Sequence, residues 1–118
     1  MLMSHSLENG VLVITVHDDP GRCGKALLLT RISDLVYAHR PAPVVIVLEA
    51  PAAAGAALGV VLRVHRLCSR LRILMSVATG SAPARRALEA RAEGSGVRLV
   101  IHARTDTAIT STAFAAAA

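Results

Sequence analysis

An uninterrupted apolar run at Val44–Leu48, with the sequence Val-Val-Ile-Val-Leu, constrains the fold of this chain more than any other segment. The run begins after Pro43 and ends before Glu49, and no polar residue interrupts it. A strand with one face in water alternates apolar and polar residues, whereas a strand buried on both faces is apolar throughout. The run therefore predicts a central strand in a sheet that is covered on both faces.

Segments typical of strands and of helices alternate along the rest of the chain. β-branched residues predict further strands at 10–17, 71–78 and 97–102. The spacing of apolar residues, together with capping signals, predicts four helices, at 25–40, 58–70, 81–94 and about 105–111. Such alternation requires crossover connections, which build a parallel sheet. The predicted fold class is α/β, with a mostly parallel sheet of about four to five strands and four helices.

The length of 118 residues suits a single domain with one hydrophobic core. We expect a flexible N-terminus at 1–9, one domain at 10–112 and a frayed C-terminal tail at 113–118. The segment 18–24 contains a proline and two glycines, so it is expected to be a loop between the first strand and the first helix.

The apolar stretch at 43–62 is about as long as a membrane span. Glu49 and Pro51 lie in its middle, so we interpret it as a buried strand, a turn and the start of a helix, and we expect no membrane insertion. The first ten residues lack the basic segment and apolar run of a signal peptide. A cytoplasmic location is the resulting expectation.

The formal net charge is +5, and all but one of the 13 basic residues are arginine. Such a balance is typical of chains that bind nucleic acid, a membrane surface or an acidic protein, and a GC-rich coding sequence produces the same excess of arginine and alanine. The arginines are scattered, and the chain has one Tyr, one Phe and no Trp with which to stack nucleotide bases. We therefore expect no direct binding of nucleic acid.

Three arginines recur at helical spacing on the second predicted helix. Arg63, Arg66 and Arg70 lie at i, i+3 and i+7, which places them in one stripe, mostly on the side opposite the apolar residues. The stripe is either an ordinary solvated face or an electrostatic docking strip for an acidic partner.

The motifs of common enzyme and cofactor sites do not occur in the sequence. There is no Gly-x-Gly-x-x-Gly, no Gly-x-x-x-x-Gly-Lys-[Ser/Thr] and no Gly-x-Ser-x-Gly. Gly55 and Gly59 leave open a backbone cradle for a phosphate, although the lysine and hydroxyl of such a loop are missing. The five histidines show no metal-ligand spacing. We expect no catalysis, no cofactor and no metal ion.

The two cysteines, Cys23 and Cys68, are far apart and neither has a Cys-x-x-Cys partner. Both are expected to be small buried thiols. His65 and Cys68 share one helix face, and we interpret that pair as core packing in preference to a redox or metal site.

Four stretches in a fixed order resemble one known family. They are a strand with a final acidic residue at 44–49, a Leu-Gly-Val helix start at 58–68, a strand, loop and helix at 72–89, and a last strand with a Thr-Asp-x-Ala helix start at 97–109. Together they make the chain similar to STAS domains, the fold of bacterial anti-sigma factor antagonists, over roughly 10–112. The resemblance implies a protein-interaction module in bacterial transcription regulation, with an anti-sigma factor or a related regulatory protein as its partner.

The chain departs from that family at the phosphorylation motif. Family members that act as switches carry Asp-Ser-Ser-Gly before the Leu-Gly-Val helix start, and a partner kinase phosphorylates the first serine. In one register this motif falls on Ala54, Gly55, Ala56 and Ala57. In the ungapped register it falls on 57–60, and the segment 52–62 contains no Ser, Thr or Asp. The resemblance therefore implies a module that is not switched at the usual serine.

The expected partner-binding surface joins this altered turn to the arginine stripe. Its residues are Ala54, Gly55, Ala56, Ala57, Arg63, Arg66 and Arg70. Ser81 stands at a predicted helix N-terminus, which stabilises negative charge, and it is the alternative phosphorylation site. The alternative function is that of a subunit in a lipid or anion transport assembly, a role that other STAS domains serve.

Overall fold

Five strands form one mixed sheet in the computed structural model, which describes residues 2–53 and 55–117. The strands are β1 Met3–Glu8, β2 Val11–Val16, β3 Val44–Leu48, β4 Met75–Thr79 and β5 Val100–His102. The helices are α1 Gly21–Ala38, α2 Gly55–Arg70, α3 Ala82–Gly94 and α4 Thr105–Ala117, with a short 3₁₀ turn at Ala50–Ala52. The sheet order is β1-β2-β3-β4-β5, in which β1 and β2 are antiparallel and the other neighbours are parallel. The predicted α/β fold class is confirmed.

β3 is the middle strand of the sheet, as its continuous apolar sequence predicts. All five of its side chains are buried. Ile46 pairs with Ile14 of β2 on one side and with Val77 of β4 on the other, and both pairings are parallel. Because helices cover both faces at this position, no residue of β3 needs to be polar.

Three helices cover one face of the sheet, and α4 covers the other. α1, α2 and α3 enclose the larger core, in which Leu28, Ile46 and Leu88 are fully buried. On the opposite face α4 packs on a smaller cluster, whose strand residues are Val11, Val13, Val45, Val47 and Ala78. The two core layers therefore differ in size, since one is built by three helices and the other by a single helix.

The apolar spacing of α2 turns one side of the helix toward the sheet. Val61, Val64 and Cys68 are buried on that side, and full burial of a valine side chain stabilises a fold by about 1.5–3 kcal/mol. Gly59 faces α1, where a Cβ would lie 3.2 Å from Nζ of Lys25, the end of a flexible side chain that can move aside. The packing of α2 therefore fixes which of its residues remain available to a partner.

The start of α3 follows the capping signal in the sequence. Ser81 is the N-cap, and its Oγ accepts a hydrogen bond of 3.2 Å from the backbone N–H of Ala84. Pro83 lies in the first helical turn, where the N–H that proline lacks would have no partner within the helix. The predicted N-cap is confirmed.

The expectation of a flexible N-terminus at 1–9 is wrong for most of that segment, because Met3–Glu8 form β1. Asn9 and Gly10 have positive φ values of 54° and 76°. A two-residue turn of this type joins antiparallel strands, and Asn-Gly is the sequence that favours it. All six residues of β1 pair with β2, so hydrogen bonds to β2 order the segment despite its polar sequence.

Three predicted helix boundaries also need correction, the first being that α2 begins at Gly55 and not at 58. α1 begins at Gly21, within the segment 18–24 that was expected to be a loop, and Pro20 precedes it as the N-cap. α4 continues beyond Ser111 to Ala117, through most of the expected tail. Alanine has the highest helix propensity, so the alanine-rich end of the chain extends the helix. The last residue of the predicted tail, 118, lies outside the described residues.

The two thiols differ in their environments. Cys23 is exposed, so the expectation that it is buried is wrong. Cys68 is fully buried as predicted, and desolvation raises the pKa of its thiol to about 11. A thiol with that pKa is neutral at physiological pH, which suits a packing role for Cys68.

Candidate protein-interaction surface

α2 carries Arg63, Arg66 and Arg70 on the side that faces away from the sheet. Residues three or seven positions apart lie on the same side of a helix, because one turn contains about 3.6 residues. All three arginines are exposed, while the opposite side of α2 is buried. The stripe predicted from the sequence is therefore an exposed row of guanidinium groups.

An open groove of about 960 Å³ lies beside this row. α1 forms one wall of the groove, and the segment that leads into β5 forms another. We use the name arginine groove for the surface formed by Tyr37, Arg63, His65, Arg66, Arg70 and Arg98. The fold thus adds a fourth arginine to the three that the helical spacing brings together.

No carboxylate among the described residues forms an ion pair with an arginine of the arginine groove. Within residues 2–53 and 55–117, the close contacts between basic side chains and carboxylates join His17 to Glu49 and Arg104 to Asp106, and neither involves a groove arginine. Several like charges within a screening length of about 8–10 Å produce a positive surface potential. The groove is therefore suited to bind carboxylates or other anionic groups of a partner.

Tyr37 gives the arginine groove an aromatic contact surface. It is the one tyrosine of the chain, and 47% of its surface is exposed. The guanidinium carbon of Arg40 lies 5.1 Å from the centre of its ring, within the range of a cation–π interaction. Tyr and Arg are enriched at the residues that dominate protein–protein binding energies. An exposed tyrosine among arginines is consistent with a protein-binding surface.

His65 lies in the groove below the exposed arginines and is half-buried. Desolvation lowers its pKa from the usual 6.5, and a hydrogen bond with the backbone of Arg98 acts in the opposite direction but is the smaller effect. Its Nδ1 atom is buried and has no hydrogen-bond partner among the described atoms. The neutral form of His65 therefore predominates at pH 7, so its contribution to the positive charge of the groove is small.

The segment expected to be a turn before the second helix forms the first residues of α2 from Gly55 onward, and it offers less surface than the sequence suggests. Ala57 is 1% exposed and belongs to the core, so it has no surface to offer a partner. Gly55 is exposed and Ala56 is half-buried, while Ala54 lies outside the described residues. Gly55 and Arg63 are eight positions apart, which corresponds to about 12 Å along the helix axis. The first half of the predicted surface therefore lies at the start of α2, whereas the arginine stripe runs from the middle of the helix to its end.

Ser81, the alternative phosphorylation site, is half-buried at the start of α3. Its hydroxyl oxygen accepts the capping hydrogen bond. The structure places it with Glu49 and Thr79 around a separate cavity of about 440 Å³ at the carboxyl ends of β3 and β4. Ser81 thus lies outside the arginine groove.

Three groove residues were not predicted for this surface: His65 was assigned to core packing, and Tyr37 and Arg98 were not singled out. Tyr37 is on the first helix, off its apolar stripe, and this position was the one available signal for it. Arg98 is 28 positions from Arg70, and no spacing rule connects the two residues. They share a groove because β4, α3 and β5 return the chain to the side of α2.

Comparisons with known proteins add no assignment to this geometry. No protein-family model matches the chain, and no curated protein matches it significantly.

Proposed function

We propose that this chain is a protein-interaction domain of bacterial regulation, similar to an anti-sigma factor antagonist, and that it binds an acidic partner through the arginine groove. The resemblance of the sequence to STAS domains supports the class of function. The mostly parallel sheet with four helices is compatible with that resemblance. The proposed location is cytoplasmic, as expected for a regulator of transcription.

The unpaired charge of the arginine groove is the observation that carries this proposal. Isolated surface arginines are common, but here four arginines and an exposed tyrosine share one concave surface. None of the four forms an ion pair within the described part of the chain. An acidic partner would gain charge-assisted hydrogen bonds there, and long-range attraction would raise its association rate.

The proposed domain is not switched by phosphorylation at the position usual for the resembled family. The segment 52–62 has no hydroxyl that could accept a phosphoryl group. We therefore expect incubation with a kinase-type partner and ATP to leave that segment unmodified, as measured by peptide mass spectrometry. Phosphate found at Ser81 would mean that regulation acts at a different position.

The alternative function, in a transport assembly, predicts a different partner. No helix in the described ranges is both long and apolar enough to cross a bilayer. Affinity purification from the native cells would recover a membrane ATPase under the alternative, and a regulatory protein with an acidic surface under our proposal.

The decisive experiment compares two variants with equal changes in charge. Arg63→Glu combined with Arg70→Glu alters the arginine groove, whereas Arg31→Glu combined with Arg86→Glu alters exposed arginines elsewhere. We expect the first variant to lose the co-purified partner and the second to retain it. For the wild-type protein, association should slow several-fold between about 50 mM and about 500 mM salt. Equal recovery by both variants would place the interface elsewhere.

A further inference from the structure

Three side chains outside the arginine groove form a hydrogen-bonded series. Oγ of Ser4 lies 2.7 Å from Nε2 of His17. Nδ1 of the same imidazole lies 2.6 Å from Oε1 of Glu49. A hydroxyl, an imidazole and a carboxylate in this order are the arrangement by which proteins activate a serine as a nucleophile. We use the name serine cluster for these three residues.

The sheet topology brings the three residues together from distant parts of the chain. His17 follows β2 and Glu49 follows β3, so both lie at the carboxyl ends of neighbouring parallel strands. Ser4 belongs to β1, which runs in the opposite direction, and its amino-terminal part therefore reaches the same edge. The backbone N–H of His17 donates a hydrogen bond of 2.8 Å to the carbonyl oxygen of Leu2. Ligands of open α/β sheets bind outside the carboxyl ends of the strands, where the serine cluster lies.

For a neutral His17 imidazole, hydrogen-bonding chemistry assigns the protons of the serine cluster. The ionised carboxylate of Glu49 can only accept, so Nδ1 of a neutral His17 carries the ring proton and donates it. Nε2 then has a free lone pair and accepts the hydrogen bond that the Ser4 hydroxyl donates. This is the tautomer in which a histidine can remove the proton from a serine as the oxygen attacks.

We propose that Ser4 is a nucleophile that accepts the acyl group of small activated esters, with His17 as its general base and Glu49 as the positioning residue. Ser4 Oγ bonds to the carbonyl carbon, and its proton moves to Nε2 of His17. The bond to the leaving group breaks, and the protonated His17 gives its proton to the departing oxygen, so an alcohol or phenol leaves and His17 is neutral again. Water then attacks the acyl-serine with His17 as base, which releases the carboxylic acid and restores the hydroxyl.

Solvent exposure of the serine cluster defines the class of substrate. The side chains of His17 and Glu49 are 30% and 50% exposed, and Ser4 is half-buried. A small reagent can therefore reach the hydroxyl. An open site does not exclude water and provides little binding energy, so turnover will depend on a good leaving group.

A fluorophosphonate probe and p-nitrophenyl acetate test the proposal on the full chain. The probe should form an Oγ–phosphorus bond at Ser4 with loss of fluoride, and intact-mass and peptide analysis should locate one adduct per chain. The acetate should release nitrophenolate through an acetyl-Ser4 intermediate. The matched control is Ser6→Ala, since Ser6 also lies on β1 and its hydroxyl donates to Glu8 instead of to a histidine.

Three substitutions separate the roles within the serine cluster. Ser4→Ala should abolish labelling, His17→Gln should slow it by about 100-fold or more, and Glu49→Gln by at least about tenfold. Circular dichroism and thermal unfolding identify any variant that fails to fold. If His17→Gln does not fold, the folded Glu49→Gln variant still tests the arrangement. Its rate of labelling should be lower than that of the wild type, and Glu49→Asp should restore the rate.

Absence of probe at Ser4, or equal labelling of Ser4 and Ser6, would overturn the proposal. Either result would mean that the three side chains only hold β1 against the sheet. The outcome is independent of the partner-binding function, because the arginine groove contains none of the three residues.

Discussion

The arginine groove and the serine cluster differ in how far apart their residues lie along the chain. Three groove arginines lie within eight consecutive residues of α2, whereas Ser4, His17 and Glu49 come from or directly follow three different strands. Helical periodicity makes the first set visible in the sequence. The second set exists only because β1 is antiparallel to β2 and β3 lies next to β2. Local spacing therefore reveals surfaces on one helix, but not sites assembled at the end of a sheet.

The two regions also differ in how their polar groups are satisfied. The serine cluster is internally paired, with hydrogen bonds from hydroxyl to imidazole and from imidazole to carboxylate. The groove arginines have no carboxylate partner within the described residues. Unpaired charge favours attraction of a second molecule, whereas a paired series positions groups for proton transfer. The following predictions test whether the two regions act separately.

The largest expected effect is on association with the partner. Arg63→Glu combined with Arg66→Glu reverses two charges, so association at low salt should slow by about tenfold or more because electrostatic steering is lost. Biolayer interferometry with the purified partner measures this rate. Labelling of Ser4 should stay unchanged in the same variant. A loss of both properties would show that the two regions are coupled or that the variant is misfolded.

An effect of intermediate size, on stability, is expected from a substitution at the N-cap of α3. Ser81→Ala removes the hydrogen bond to the N–H of Ala84 and should lower the free energy of unfolding by about 1 kcal/mol. Urea denaturation followed by circular dichroism measures the change. Ser95→Ala, at the exposed other end of α3, is the control and should have little effect. Both functional regions should survive Ser81→Ala, since the cap belongs to neither.

The smallest effect concerns the pH dependence of stability. Burial lowers the pKa of His65 in the folded state below 6.5, so the unfolded chain binds more protons as the pH falls through and below that value. Linkage then requires the free energy of unfolding to decrease with falling pH. Urea denaturation at about pH 7.5 and about pH 5.5 should show a smaller decrease for His65→Gln than for the wild type. His5→Gln, a substitution at an exposed position of β1, is the control. If the free energy of unfolding decreases equally in the wild type and in both variants, desolvation of His65 is not the cause of the decrease.

Much of the fold could be predicted from the sequence because its strongest signals are local. The apolar run of β3 predicts a central strand, and Ser81 with Pro83 predicts the start of α3. β1 was missed because it is a polar edge strand, for which backbone pairing with β2 matters more than its own apolar content. The turn residues Asn9 and Gly10 were the available signal, since that pair is a hairpin sequence.

The candidate sites were only partly predictable. The sequence predicted those site residues that lie close together because of helical spacing, such as Arg63 and Arg66. Arg98 enters the groove through a crossover connection, and Ser4 meets His17 through strand pairing, so both contacts depend on the tertiary arrangement. Burial also depends on tertiary packing, and for this reason Ala57 was assigned to the surface although the core encloses it.

The single helix on the smaller core layer limits how this protein can be shortened. α4 covers Val11, Val13, Val45 and Val47, and its Thr112 hydroxyl shares a buried hydrogen bond of 2.7 Å with Ser76 of β4. A gene truncated before Thr105 would encode a chain with a bare, valine-rich sheet face. Exposed apolar surfaces of that kind promote self-association and precipitation during expression. Truncation that removes α4 should therefore make the remaining chain prone to aggregate.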